Sequence, residues 1–215
     1  MNLLALIMSQ KIPCGITDAF IKVRCAMKYK FNYLVFIGRF QPFHLAHMQT
    51  IKIALQQSQQ VILALGSAQQ ERNIKNPFLA TEREEMILSN FSEADQKHIK
   101  FVHVIDVYND EKWQKLVKLL VAGVAELNAK VGLIGHFKDE SSYYLRLFPE
   151  WEMVEIDSLE DAMSATPMRE AFYRGEIWED RFPQGTIEFL QKFKQSAIYQ
   201  QLQHKYQTQD KSNLE

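Results

Sequence analysis

The apolar positions fall into short continuous runs separated by stretches with helical spacing. Tyr33-Leu-Val-Phe-Ile-Gly38 is apolar throughout and closes on glycine, the pattern of a strand buried on both faces. Val61-Ile-Leu-Ala-Leu-Gly66 repeats it. Between the two, Met48, Ile51, Ile53, Ala54 and Leu55 give residues 47–57 one apolar side and predict a helix. The alternation continues with a helix over 81–90, a strand over 100–106 and a helix over 111–128. A strand at Val131-Gly-Leu-Ile-Gly135, a short helix over 141–147 and a strand over 152–156 follow. Such alternation predicts an α/β fold, a Rossmann-like doubly wound parallel sheet that binds ligands at the carboxyl ends of its strands. Beyond Ser164 the pattern is helical, over 167–173 and again over 185–205, giving a C-terminal helical segment and a polar tail.

Residues 1–30 differ from the rest. They hold both cysteines, a Pro13-Cys14-Gly15 break and no strong periodicity, and Met27 stands just before the first strand. They are expected to be an appendage or a mis-assigned start, with a domain over 31–182 and a C-terminal helix and tail over 183–215. Cys14 and Cys25 give no disulfide framework, so a reducing cytoplasm is expected. No apolar run approaches a membrane span. The chain has 215 residues, 47% of them hydrophobic, and a formal net charge of −1. That charge argues against a wide nucleic-acid-binding face but leaves room for a few cations focused in a cleft.

One such cleft is written where the first strand meets the first helix, in Gly38-Arg39-Phe40-Gln41-Pro42-Phe43-His44-Leu45-Ala46-His47. Gly38 lets the backbone turn and approach a ligand closely, and Pro42 stiffens the loop. His44 and His47, three apart at a helix start, project alike toward the end where free N–H groups and the helix dipole favour an anion. Two imidazoles there suit a polyphosphate. They do not close a zinc site, and no further His/Cys cluster is evident in the sequence. A second anion site is expected at Ser164-Ala165-Thr166-Pro167-Met168-Arg169. There Thr166 reads as the helix cap, Pro167 as the first helical residue, and Arg169 as a first-turn cation whose placement makes sense beside a phosphate. The chain has neither a P-loop nor a Gly-x-Gly-x-x-Gly turn, so phosphoryl transfer by a P-loop and dinucleotide-dependent redox chemistry lose their usual sequence support.

Gly38-Arg39-Phe40-Gln41-Pro42-Phe43-His44-x-x-His47 resembles the phosphate signature of the nucleotidyltransferase superfamily, and Ser164-x-Thr166-x-x-Arg169 resembles its second motif. Gly66-Ser67-Ala68-Gln69, Asn76-Pro77-Phe78 and Glu82-Arg83 are similar to archaeal-type nicotinamide-mononucleotide adenylyltransferases. The run from Gly135-His136-Phe137-Lys138-Asp139 to Phe148-Pro149-Glu150-Trp151 looks like a bacterial branch commonly fused to a Nudix hydrolase. No Nudix signature is present, so either a stand-alone adenylyltransferase or one half of a larger protein is expected.

The resemblance implies in-line transfer of AMP from ATP, with Mg2+ arriving on the nucleotide, to nicotinamide mononucleotide. His44, His47 and Arg169 are the implied catalytic set. Gly38, Arg39, Phe40, Ser164, Thr166, Lys138 and Asp139 are implied at ATP, and Asn76, Phe78, Arg83 and a stacking Trp113 at the mononucleotide. For Trp113, burial in the core is the competing reading. A different acceptor (nicotinate mononucleotide, pantetheine phosphate or a polyol phosphate) and a catalytically inactive nucleotide sensor stay open as alternatives. So does the oligomeric state, a homo-oligomer included.

Overall fold

The computed structural model describes residues 29–136, 140–156 and 164–212. The expectations for residues 1–28 and for Lys138 and Asp139 lie outside them. Residues from Phe31 onward form one compact unit. Its chain order is β1 (Phe31–Gly38), α1 (Leu45–Gln57), β2 (Ser58–Leu65), α2 (Ala80–Leu88), α3 (Glu93–Gln96), β3 (Ile99–His103) and α4 (Asp110–Ala122). Then come β4 (Val131–Gly135), a 3-10 turn (Glu140–Leu147), β5 (Glu152–Glu155), α5 (Ala165–Tyr173), a second 3-10 turn (Glu179–Arg181), α6 (Gln184–Lys194) and α7 (Ala197–Ser212). The five strands are parallel in the order β3-β2-β1-β4-β5. The chain first builds outward from β1 through β2 and β3, then returns to place β4 on the other side. The carboxyl ends of β1 and β4 therefore frame the switch-point crevice in which doubly wound sheets bind ligands.

Burial on both faces follows from strand alternation. Leu34, Leu63 and Leu65 point to a core shared with α1, α2, α5, α6 and α7, whereas Val35, Ile62 and Ala64 point to a second core under α4 and the 140–147 turn. Residues of α6 and α7, among them Leu190, Phe193, Tyr199 and Leu202, belong to the first core.

Several boundaries differ from expectation, each with a local cause. β2 begins at Ser58, with no loop after α1. The Ser58 hydroxyl donates to Ala54 O and its N–H caps the same carbonyl, so the polar Ser58-Gln59-Gln60 enters the sheet directly. α4 stops at Ala122, capped by Gly123, rather than running to residue 128. The long helix expected over 185–205 is two helices, because Ser196 donates to Phe193 O and accepts from Tyr199 N–H, ending α6 and starting α7. At α5 the cap is Ser164, which accepts from Thr166 N–H. Thr166 is thus not the cap, Pro167 is the third helical residue, and Arg169 is the fifth rather than a first-turn residue. Proline is tolerated throughout a first turn because its missing N–H has no intrahelical partner there, so Pro167 does not fix the start.

Candidate active site

The loop after β1 is held by its own glutamine. Gln41 is 3% exposed and its side-chain amide exchanges two bonds with Phe78, donating to Phe78 O at 2.7 Å and accepting from Phe78 N–H at 3.1 Å. Its carbonyl accepts from Arg169 Nη1 at 2.8 Å. One residue thus joins the β1 loop, the loop before α2 and helix α5. Gly38 tolerates the tight path that follows, since a Cβ there would stand 3.0 Å from the Phe40 ring. Phe40 has φ 50 and a fully buried ring.

His44 caps α1 and its N–H donates to Nδ1 of His47 at 3.3 Å. The two imidazoles stack with centroids 3.6 Å apart. Phe43 lies against the other side of His47 at 5.8 Å, and Phe40 meets it edge-on at 4.8 Å. Burial, then the neighbouring His44, hold the His47 pKa well below its ordinary 6.5. A neutral ring whose Nδ1 accepts a bond carries its proton on Nε2, leaving Nε2–H as the donor.

Three guanidinium groups gather at this end of β1. Arg39 is exposed. Arg169 donates back to Thr166 Oγ1 at 3.3 Å as well as to Gln41 O, and burial followed by the Arg39 charge lowers its pKa. Arg83 is 1% exposed and donates through Nη1 to Arg39 O and Gly66 O, both at 2.8 Å. Burial brings it down to about 10, with Glu84 opposing the shift and Arg39 adding to it. Arg83 therefore pins two strand-end carbonyls through Nη1.

On the α4 side of the same strand ends lies a cavity of about 490 Å³, lined by Gly38, Arg39, Gly66, Ser67 and residues 106–110, and by Trp113, Tyr143 and Tyr144. Trp113 packs edge-on against Tyr144 and Phe148, partly buried against the second core, and also lines the cavity. The other mononucleotide candidates are not on this lining. Phe78 is 2% exposed in the first core, edge-on to Phe189 and Phe193. Asn76 closes a turn with Asn73, with its Oδ1 buried and unpaired. The sequence pattern did not single out Gln41, Asp106 or Tyr144. Asp106 receives Ser67 Oγ–H and Gln70 Nε2–H, each at 3.1 Å, while Tyr144 O–H donates to Ile37 O. The available signal was position, because each follows or packs on a strand's carboxyl end.

Among the described residues no group of three or more His, Cys, Asp or Glu is arranged to hold a metal ion, and the rings of Phe36, Phe40 and Phe43 lie around the His47 imidazole.

The cytidylyltransferase-like family matches residues 35–171. A nicotinamide/nicotinic acid mononucleotide adenylyltransferase of Acinetobacter baylyi is 69% identical over 186 residues, 86% of this chain and 99% of that protein. The nicotinamide-nucleotide adenylyltransferase of Pyrococcus abyssi is 30% identical over 161 residues, 74% of this chain and 83% of that protein. A bifunctional NMN adenylyltransferase/ADP ribose pyrophosphatase of Francisella tularensis, solved with AMP and a manganese ion, superposes with a TM-score of 0.74 at 37% identity. The match covers 81% of this chain and 52% of that one, so this chain spans about half of the bifunctional protein. By family and by kin, the chain belongs to the cytidylyltransferase-like nucleotidyltransferases, among the nicotinamide/nicotinic acid mononucleotide adenylyltransferases.

Proposed function

We propose that this chain transfers AMP from ATP to nicotinamide mononucleotide, giving NAD and pyrophosphate, with the reaction carried by the carboxyl end of β1. A phosphate oxygen of the mononucleotide attacks the α-phosphorus of ATP. The bond from that phosphorus to the bridging oxygen breaks, and pyrophosphate leaves with the electron pair. No covalent protein intermediate is needed, so catalysis is alignment of two anions and stabilisation of spreading charge.

In this reading the Nε2–H of His47 and the His44 ring donate to the ATP phosphates. Arg39 and Arg169 neutralise the departing pyrophosphate, and Ser164 and Thr166 hold the near end of α5 toward it. The cavity beside Trp113 takes the nicotinamide ring, a flat amphipathic group suited to aromatic contact. Residues 31–182 carry the reaction, and the helices of 183–215 brace it from the first core. Mg2+ enters as MgATP, part of the substrate. Cytoplasmic residence fits this metabolite chemistry, and among the described residues no helix is long and apolar enough to cross a membrane.

The observation that carries the reading is the stacked, mutually bonded His44–His47 pair beside Arg39 and Arg169. Its test is incubation of the full chain with MgATP and nicotinamide mononucleotide, following NAD and pyrophosphate together. Equimolar release is expected. Folded protein that binds ATP yet makes neither product would overturn the assignment.

A further inference from the structure

Leu133 of β4 lies in the second core and Ile134 in the first, and a Cβ on Gly135 would face Leu145 and Met153 of the second. Strand alternation therefore turns the next residue, His136, to the first-core face. Its neighbour on β5 agrees. Ile156 N–H donates to Gly135 O at 3.0 Å, extending the β4–β5 register by one residue, and Ile156 packs against the first core. That is the face of the anion-binding groups. The His47 ring lies among Phe36, Phe40 and Phe43, and Arg169, next to the core residue Met168, bonds Gln41 O in the β1 loop at 2.8 Å. β4 stands between β1 and β5, and its ladder with β1 stops at Val35–Leu133, so the last residues of both strands border the crevice. His136 sits at that border, between the β1 loop and the strand that precedes α5. Its Nε2 is buried and has no hydrogen-bond partner among the described residues.

We infer that His136 is a further binding residue for the transfer, whose Nε2–H donates to an ATP phosphate oxygen between the His44–His47 pair and Arg169. The inference rests on the proposed reaction. A buried nitrogen without a partner is costly, and native structures keep few of them. A ligand acceptor removes that cost. The groups gathered at this end of the sheet, Arg39, Arg169 and the imidazole pair, draw an anion. Phosphate oxygens only accept hydrogen bonds, so binding selects the tautomer of His136 with its proton on Nε2. A hydrogen bond to a charged acceptor is among the stronger ones, and its loss corresponds to about ten- to a hundredfold in affinity.

The experiment compares the wild type with His136→Phe, which keeps a ring and deletes the donor, and with His136→Gln, whose amide N–H lies near the position of Nε2. KM for MgATP and the calorimetric Kd of magnesium pyrophosphate are expected to rise about ten- to a hundredfold in His136→Phe and less in His136→Gln. KM for nicotinamide mononucleotide and the Kd of adenosine should stay near their wild-type values. A merely structural role would raise both KM values alike and gain nothing from the amide, and that result overturns the inference. Unchanged constants for MgATP and pyrophosphate in folded variants overturn it too. Weakened adenosine binding with pyrophosphate binding intact would move the contact to the nucleoside and overturn the phosphate assignment. Should thermal melts show that both variants fail to fold, nitrogen-15 NMR of histidine-labelled wild type decides: the Nε2 signal of His136 must shift on adding pyrophosphate. Should the wild type make no NAD, the reaction assignment falls, and the pyrophosphate and adenosine measurements then decide the role of His136 by themselves.

Discussion

The backbone N–H of His44 is bonded to Nδ1 of His47, and the two rings lie face to face. This contact specifies more than proximity. It makes Nδ1 an acceptor and places the His47 proton on Nε2. The capping residue of the helix thereby also sets the tautomer of the next imidazole.

His47→Ala is expected to lower kcat by about 100- to 1000-fold, the usual consequence of removing one donor aimed at developing charge. KM for ATP should change much less. His47→Gln, whose amide nitrogen approximates the position of Nε2, should retain more activity than His47→Ala. Steady-state kinetics check the order, and nitrogen-15 NMR of labelled histidine checks the tautomer. A proton found on Nδ1 of neutral His47 would remove the basis for this assignment.

The same ring sets an acid limit on stability. Its folded-state pKa is depressed below 6.5. Between that lower value and 6.5, the unfolded chain binds a proton that the native chain does not, so stability rises with pH across this interval. The contribution is complete above 6.5 and is lost progressively as pH falls below it. Native His47 stays neutral until pH reaches its own lower pKa, so the melting temperature should fall on acidification before kcat does. Melts of the wild type and His47→Gln over about pH 5 to 8 should differ in slope on the acid side and run parallel on the alkaline side.

The fold was legible because the sheet is buried on both sides. Runs such as Tyr33–Gly38 and Val61–Gly66 have little alternative to being interior parallel strands. The histidine pair and Arg169 were legible because turn glycine, loop proline and spaced cations leave a local mark. Residues acting through long-range bonds were not. Gln41 reaches Phe78, 37 positions away, and Arg169 reaches Gln41, 128 positions away, and neither bond follows from local pattern. Phe78 shows the converse: a residue inside a family motif serves that motif from the core, where its ring packs while its backbone holds Gln41. Single serines also defeated periodicity at Ser58, Ser164 and Ser196, because one hydroxyl can end a helix or begin one without interrupting an apolar pattern.

Arg83→Met should be costly to the fold. It removes a buried cation and leaves the carbonyls of Arg39 and Gly66 without their shared donor. Leaving the two carbonyls unpaired costs about 1–3 kcal/mol each, which for a domain of this size lowers Tm by on the order of 10 °C. Arg83→Lys should recover only part of this, because one ammonium cannot reproduce the guanidinium geometry. A melting temperature unchanged in Arg83→Met would show that the two strand ends hold themselves.

Gln41→Leu approximates the side chain's bulk and deletes both bonds to Phe78. Two buried backbone groups are then unpaired, at about 1–3 kcal/mol each. The loop that carries His44 also loses its tether, so kcat should fall together with stability. Gln41→Glu should be no remedy, because a carboxylate can accept from Phe78 N–H but must then face Phe78 O. Comparing kcat at a temperature where both variants remain folded separates loss of the tether from loss of protein.

Trp113 tests where the mononucleotide binds. Its indole lies on the cavity while its edges pack on Tyr144 and Phe148, so the ring is held before any ligand arrives. A held ring loses little entropy on stacking, and aromatic stacking on a base contributes about 1–3 kcal/mol. Trp113→Ala should therefore raise KM for nicotinamide mononucleotide by roughly ten- to a hundredfold while leaving KM for ATP near its original value. Truncation also leaves a gap beside Phe148, so Tm will drop and cannot by itself report the site. The discriminating result is the divergence of the two KM values, supported in the wild type by a change in tryptophan fluorescence on adding mononucleotide that Trp113→Phe abolishes. Equal increases in both KM values would return Trp113 to a packing role and move the ring out of this cavity.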